Sequence, residues 1–295
     1  MIKRTIEISS GPTHLSVRNA QLVISRQRET LSTIPCEDIG LVLIDHPAVT
    51  YTHSVLTTLA EYGAIVVVCG ADHHPAALLM PVEANTLHTE RLRIQVESTR
   101  PVSKRIWQQI VRAKITAQAG VLGVASPAHK SLMNLAEEVR SGDPSNVEAH
   151  AAKIYWQHLF AGSEFRRDQQ GAPPNNLLNY GYMTLRAGVA RAICGAGLHP
   201  SIGLHHRNRY NPFCLADDLV EPLRPMADRR VRALWRDGKS DVNKETKTQL
   251  LGVLTDTVVF DGESGPLQVA LGKMAASLVR CFEGTDKKLE IPVPW

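Results

Sequence analysis

The chain lacks the marks of several protein classes. Its five cysteines (Cys36, Cys69, Cys194, Cys214, Cys281) are odd in number, widely spaced and free of any C-x-x-C pair. That excludes a disulfide framework and a zinc knuckle, and points to reduced, packed thiols in a reducing compartment. Long apolar runs are missing as well. The strongest, Ala64-Ile-Val-Val-Val-Cys69, has the length of a buried strand and is far too short to span a bilayer. Met1-Ile-Lys-Arg is followed by Glu7 with no long apolar region, so no secretory leader or membrane association is expected and the expected compartment is the cytoplasm. There is no Gly-rich phosphate loop, no dinucleotide fingerprint and no H-E-x-x-H, and neither an internal repeat nor a low-complexity tract. What remains is an ordinary globular composition, 43% hydrophobic and 21% charged, with a net charge of +4. That mild basic excess permits a nucleic-acid partner without demanding one.

At 295 residues the chain has room for two domains of roughly 100–200 residues. The first part is β-rich. Thr5–Ser9, His14–Arg18, Gln21–Ser25 and Thr30–Ile34 are short alternating segments, with hairpin-like spacing at Asn19-Ala20 and Gln27-Arg28. Ile39–Ile44 and Ala64–Cys69 add two apolar strands, and Ser54–Tyr62 reads as a short helix ended by Gly63. Beyond Pro81 the period becomes helical: Lys104–Ala119, Lys130–Val139, Val147–Phe160, Asn176–Ala196, Ala216–Trp235, Lys244–Val253 and Leu267–Phe282. The expected fold class is α+β. A small N-terminal β-rich, sandwich-like domain covers 1–82, a polar linker 83–93, and a larger all-α catalytic domain 94–295. The tail Ile291-Pro-Val-Pro-Trp295 cannot be helical and reads as a flexible or docking end.

Gly203-Leu-His205-His206-Arg207 runs into Ala216-Asp217-Asp218-Leu-Val-Glu221-Pro-Leu-Arg224-Pro225. Asp218 and Glu221 stand at i, i+3, and Asp217 and Glu221 at i, i+4, so a helix starting near Ala216 places the acids on neighbouring positions of one face. Crowded carboxylates repel, and burying them is costly unless a cation or proton intervenes. A hard divalent metal removes that conflict, and the segment reads as a metal site for phosphate chemistry. The competing reading is an acidic helix start that complements the dipole, beside a solvated loop. Upstream, Ser141-Gly-Asp-Pro-Ser-Asn146 starts a helix that carries Glu148, Ala152 and Tyr155 on one face. Arginines cluster at Arg166-Arg167, Arg207, Arg209, Arg229-Arg230 and Arg232, and guanidinium forks suit phosphate oxygens. His73-His74 and the tryptophans Trp107, Trp156 and Trp235 carry less weight, as solvated loop and packing residues respectively.

Taken together, Glu148, His206 and Glu221, in the settings E-A-x-A-A-K-x-Y-W and G-L-H-H…L-A-D-D-L-V-E-P-L-R-P, resemble the CRISPR-associated adaptation integrase, the metal-dependent endonuclease called CRISPR-associated protein one. Asn179-Tyr-Gly-Tyr-Met183 and Ala196-Gly-Leu-His-Pro-Ser-Ile-Gly203 look like the family's long helix and the turn before its histidine, so the likeness spans essentially the whole chain. Its length and its H-H and D-D-L-V-E-P wording look most like the version beside type II systems.

The resemblance implies that Glu148, His206 and Glu221 are catalytic metal ligands for Mg²⁺ or Mn²⁺. The family pattern places its histidine three residues after the glycine at Gly203, which selects His206 and leaves His205 as a neighbour that supports the fold or contacts DNA. Asp218 looks like an auxiliary acid. The implied reaction is attack by the 3′-hydroxyl of a protospacer duplex on a phosphodiester at the edge of a CRISPR repeat. The implied partners are double-stranded DNA, a second copy of the chain in a homodimer built with the β domains, and a small ferredoxin-like companion protein in a heterohexamer. Arg207, Arg209, Arg229 and Arg230 are candidate phosphate contacts. Two other classes compete: a non-enzymatic nucleic-acid scaffold whose acids only cap a helix, and an unrelated His/carboxylate metalloenzyme.

Overall fold

A computed structural model describes residues 3–70, 75–81, 85–162 and 164–294. In chain order the strand-rich part holds β1 (Arg4–Ile8), β2 (His14–Arg18), β3 (Gln21–Arg26), β4 (Glu29–Pro35), β5 (Ile39–Ile44), β6 (Thr50–Tyr51), helix α1 (His53–Glu61), β7 (Ile65–Cys69) and β8 (Pro75–Leu79). The β2–β3 and β3–β4 hairpins turn on Asn19-Ala20 and Gln27-Arg28. All four residues have positive φ, which matches the right-handed strand twist. The strands form two four-stranded sheets, ordered β1-β5-β7-β8 and β4-β3-β2-β6. In the first, β1, β5 and β7 run parallel and β8 closes the edge antiparallel to β7.

Between the sheets lies a core of Ile8, Leu15, Leu22, Ile34, Val42, Ile44 and Val66, closed by Val55 and Leu59 of α1. The opposite face of β5 and β7, made by Leu41, Leu43, Ile65 and Val67, belongs to the larger core of the helical part. Every residue of β5 is buried, as two-sided burial requires. The strand-rich part is therefore docked along a full sheet face.

The helical part comprises α2 (His88–Glu97), α3 (Arg100–Leu122), α4 (Pro127–Glu138), α5 (Val147–Leu159), α6 (Asn175–Gly195), α7 (Cys214–Val220), α8 (Arg224–Arg236), α9 (Lys244–Leu251) and α10 (Leu267–Glu283). Its central element is α6, buried on nearly all sides. Gly181 on α6 lets α8 approach: a Cβ there would lie 3.0 Å from the Ala227 Cβ.

Four expectations need correction or extension. The helix expected over Ala216–Trp235 is broken, because a 3₁₀ turn at Glu221–Leu223 separates α7 from α8. Pro222 and Pro225 each remove a backbone donor, and Pro225 is tolerated because it sits in the first turn of α8. The stretch 83–93, expected as a linker, contains the first residues of α2. The helical part also carries a hairpin, β9 (Thr257–Phe260) and β10 (Glu263–Pro266), turned at Asp261-Gly262, so it is not all-α. Finally, the tail docks: Val293 and Val259 exchange both backbone hydrogen bonds at 2.8 Å. His73 and His74 lie outside the described residues.

Candidate active site

The site forms where α3, α5, the loop after α6 and the α7–α8 break converge. Glu148 is placed by the turn before α5, where Asp143 rather than Asn146 caps the helix. Its Oδ1 accepts the Val147 N–H at 2.9 Å and its Oδ2 the Glu148 N–H at 3.0 Å. Glu221 stands at the helix break, which turns its side chain away from α7 and toward α3.

The two carboxylates meet on one ammonium. Lys114 of α3 lies 2.5 Å from Glu148 Oε1 and 2.5 Å from Glu221 Oε2, and Glu221 Oε1 also accepts Arg224 Nε at 2.9 Å. Burial pushes the Glu221 carboxyl up, but Arg224 and Lys114 outweigh it and bring it down to about 2. Burial likewise pulls Lys114 down, and Glu221 and Glu148 more than reverse that. Both groups are charged at neutral pH.

His206 is set by Asp218, which is 0% exposed. Asp218 Oδ2 accepts the N–H of Leu204 at 2.6 Å and of His205 at 3.0 Å, while Oδ1 accepts the His206 N–H at 3.1 Å. The same Oδ1 lies 2.6 Å from His206 Nδ1, which places the proton on Nδ1 and leaves Nε2 as the free lone pair of the neutral ring. The hydrogen bond to Asp218 holds the imidazole above its ordinary 6.5, against the pull of burial. Gln95 of α2 braces the approach to this loop: it donates to the His199 and Ile202 carbonyls and accepts the His199 N–H at 2.8 Å.

The predicted residues thus divide. Glu148 and Glu221 converge on one cation, and His206 and Asp218 pair beside them. Asp217 does not join, because it faces Arg186 Nε at 2.7 Å and Asn211 Nδ2 at 2.7 Å. His205 stacks flat on Trp107 of α3, with ring centroids 4.1 Å apart and planes 4° from parallel. Arg207 and Arg209 are exposed on the loop, and Arg207 lines a cleft of about 300 Å³ with Arg100, Lys104 and His205. Arg230 clamps the Asp256 carboxylate and donates to the Gln249 carbonyl at 2.5 Å, which ties α8 to α9. Arg229 is exposed on α8.

Several residues were missed from sequence. Lys114 sits seven residues after Trp107 on the stripe Trp107, Ile110, Val111, Ile115, and a charge inside an apolar stripe was the available signal. Asp228 accepts hydrogen bonds from Tyr155 at 2.9 Å and Tyr182 at 2.5 Å beneath the site, and burial pushes it up to about 6. The guanidinium of Arg224 lies over the Tyr182 ring, 4.5 Å from its centroid.

With Lys114 in place, no group of three or more His, Cys, Asp or Glu side chains among the described residues is gathered closely enough to hold a metal ion. The donor chemistry nevertheless fits a hard divalent cation. Two carboxylates already close on one positive charge, and the neighbouring imidazole offers Nε2 with its other nitrogen held by a carboxylate, as ligating histidines do.

Solved structures define the class. A casposase bound to integration product superposes with a TM-score of 0.79 over 98% of this chain and 92% of that one, at 19% identity. A Cas1 protein from Thermotoga maritima gives 0.75 over 95% and 97%, at 17% identity. The fold is that of the Cas1 and casposase proteins. The family model for CRISPR associated protein Cas1 matches residues 6–258. The CRISPR-associated endonuclease Cas1 of Neisseria meningitidis serogroup C is 37% identical, with 99% of this chain and 96% of the relative covered. One from Pyrobaculum aerophilum is 25% identical over 88% and 93%. The chain belongs to the Cas1 family.

Proposed function

We propose that the chain is a metal-dependent DNA endonuclease and integrase of CRISPR adaptation, with Glu148, His206 and Glu221 as its catalytic metal ligands. One observation carries this reading: two carboxylates from different helices close on a single positive charge, beside a histidine oriented by a buried carboxylate. Bound Mg²⁺ or Mn²⁺ would neutralise charge developing at a phosphodiester and orient its oxygens. Glu148 and Glu221 would hold the ion through carboxylate oxygens, and His206 through Nε2. Asp218 fixes the ring and the backbone that carries it, and Arg224 keeps Glu221 ionised.

The reaction is transesterification. The 3′-hydroxyl of a protospacer attacks a phosphodiester at the repeat edge; one P–O bond forms, one breaks, and the repeat's 3′-hydroxyl leaves. The bond count is unchanged, so neither ATP nor a covalent protein intermediate is required, and water in place of the hydroxyl gives hydrolysis. Exposed Arg207, Arg209 and Arg229 take backbone phosphates, which position DNA without reading its bases. A Cas6-RT-Cas1–Cas2 complex includes a chain of the same fold, with a TM-score of 0.76 over 99% of this chain and 36% of that one. That supports assembly with a small companion protein. We place a homodimer contact on the strand-rich part, residues 1–82, and the work of the protein in the cytoplasm. The H-H and D-D-L-V-E-P segments favour a type II system.

The test is strand transfer of a labelled duplex with free 3′-hydroxyls into plasmid carrying the repeat array, with the companion protein and Mn²⁺ or Mg²⁺. Glu148→Ala, His206→Ala and Glu221→Ala are expected to abolish transfer, and His205→Ala to retain it. Unchanged transfer in the glutamate variants would overturn the assignment. DNA binding with no transfer by wild type under any condition would leave a scaffold.

A further inference from the structure

Lys114 has no obvious place in a site built to hold a metal, yet it occupies the point where the two carboxylates converge. Its side chain is only 12% exposed, and those of Glu148 and Glu221 are 23% and 7% exposed. One ammonium therefore satisfies two acids from α5 and the α7–α8 break in largely dry surroundings, where an unpaired charge is costly. Arg224 balances Glu221 from a different direction, through the other carboxylate oxygen. It does not stand between the acids, and among the described residues only Lys114 bridges them.

We propose that Lys114 is an internal counter-cation that competes with the divalent metal for Glu148 and Glu221 and so sets the affinity of the site. This rests on the metal-binding reading above and adds to it a built-in occupant. The same two oxygens, Glu148 Oε1 and Glu221 Oε2, cannot serve the ammonium and a divalent ion fully at once. Loading therefore requires Lys114 to withdraw on its flexible stem, and the apparent affinity is lowered by the fraction of time it remains. The arrangement keeps the acids together before loading, and it makes the site selective for ions that outbid an ammonium.

The experiment measures Mn²⁺ affinity directly on the full chain, from the electron paramagnetic resonance signal of free Mn²⁺, with no DNA present. Lys114→Met keeps the stem and removes the charge, and it is expected to bind Mn²⁺ roughly tenfold more tightly than wild type. Lys114→Arg keeps the charge with a fork matched to carboxylates, and it is expected to bind Mn²⁺ more weakly than wild type. Glu221→Gln reports on the site itself and is expected to lose the Mn²⁺. Equal affinity in wild type and Lys114→Met overturns the proposal while leaving the metal site standing. If Lys114→Met does not fold without metal, the Lys114→Arg comparison decides, and affinity equal to wild type overturns the proposal. Undiminished binding in Glu221→Gln, or none in wild type and Lys114→Met alike, overturns the metal-binding reading and this proposal with it.

Discussion

A Cβ at position 203 would run into the His206 carbonyl oxygen and lie 2.9 Å from both Asp218 Oδ2 and the Cys214 Cβ. Gly203→Ala must therefore push the His205-His206 loop off the Asp218 carboxylate. Overpacking of this kind costs about 1–3 kcal/mol, and a fall in melting temperature together with loss of strand transfer is expected. The Asp218 contact also makes a titration prediction. The metal-free His206 imidazolium contributes stability that is present below 6.5 and is lost as pH rises through its raised midpoint. Asp218→Asn should lower that midpoint in a proton NMR titration, and an unmoved midpoint would show that the hydrogen bond is not its cause. Beneath the site the sign reverses in chemistry but not in linkage. Asp228, raised from 3.8 to about 6, favours the folded state below 3.8, and that contribution is lost as pH rises through about 6. The difference corresponds to about 3 kcal/mol. Melting curves should show wild type losing ground to Asp228→Asn between about pH 4 and pH 7. At this scale the run Asp217, Asp218, Glu221 was legible because its spacing is local, whereas Glu148 and the choice of His206 over His205 came from the family resemblance. Lys114 was not legible, because it acts only once α5 and the α7–α8 break fold onto α3.

At the scale of elements, the hairpins and most helices follow the periodicity of the side chains, and the misses have physical causes. The apolar positions Leu219, Leu223, Met226 and Leu234 continue through the break between α7 and α8, so the hydrophobic pattern runs on where Pro222 interrupts the backbone. Without the interruption Glu221 would point with α7, so the misread turn is the one that aims the Glu221 carboxylate at Lys114. Helix α2 buries only Gln95, which leaves no apolar stripe to read. Its one buried side chain nevertheless fastens the loop before His205, and Gln95→Ala removes three hydrogen bonds there. We expect that variant to lose strand transfer and to melt several degrees lower, since three bonds at about 1 kcal/mol each sum to about 3 kcal/mol. The β9–β10 hairpin was signalled by Asp261-Gly262, but the same dipeptide at Asp237-Gly238 only ends α8, and Glu263-Ser-Gly-Pro266 has no strand pattern of its own. Pairing with Thr257–Phe260, which the docked tail covers from the other side, makes it a strand.

For the whole molecule, the decisive link is between parts that the sequence separates. Lys247 of α9 pairs with Asp45 just past β5, both nearly inaccessible, at a junction where the strand-rich and helical parts meet. Lys247→Met leaves Asp45 buried beside an apolar group, and breaking such a pair from one side costs about 3–5 kcal/mol. The loss should exceed that of the double variant Lys247→Met/Asp45→Asn, and a double-mutant cycle by urea denaturation checks it. The change from a strand-rich to a helical part was visible from the change of period near Pro81, but the extent of contact between them was not. A strand buried on both faces reads only as continuously apolar.

That double-sided burial reaches beyond stability. Strands β5 and β7 are walls of two cores, so a substitution on one face leaves the other face fixed, while any slip in register exchanges both sets of side chains at once. Among members of the family these two strands should therefore change slowly and in step with their neighbours on both sides. The outer sheet β4-β3-β2-β6 answers to one core only and is free to diversify, which makes it the natural place for lineages to acquire different partners on an unchanged catalytic body.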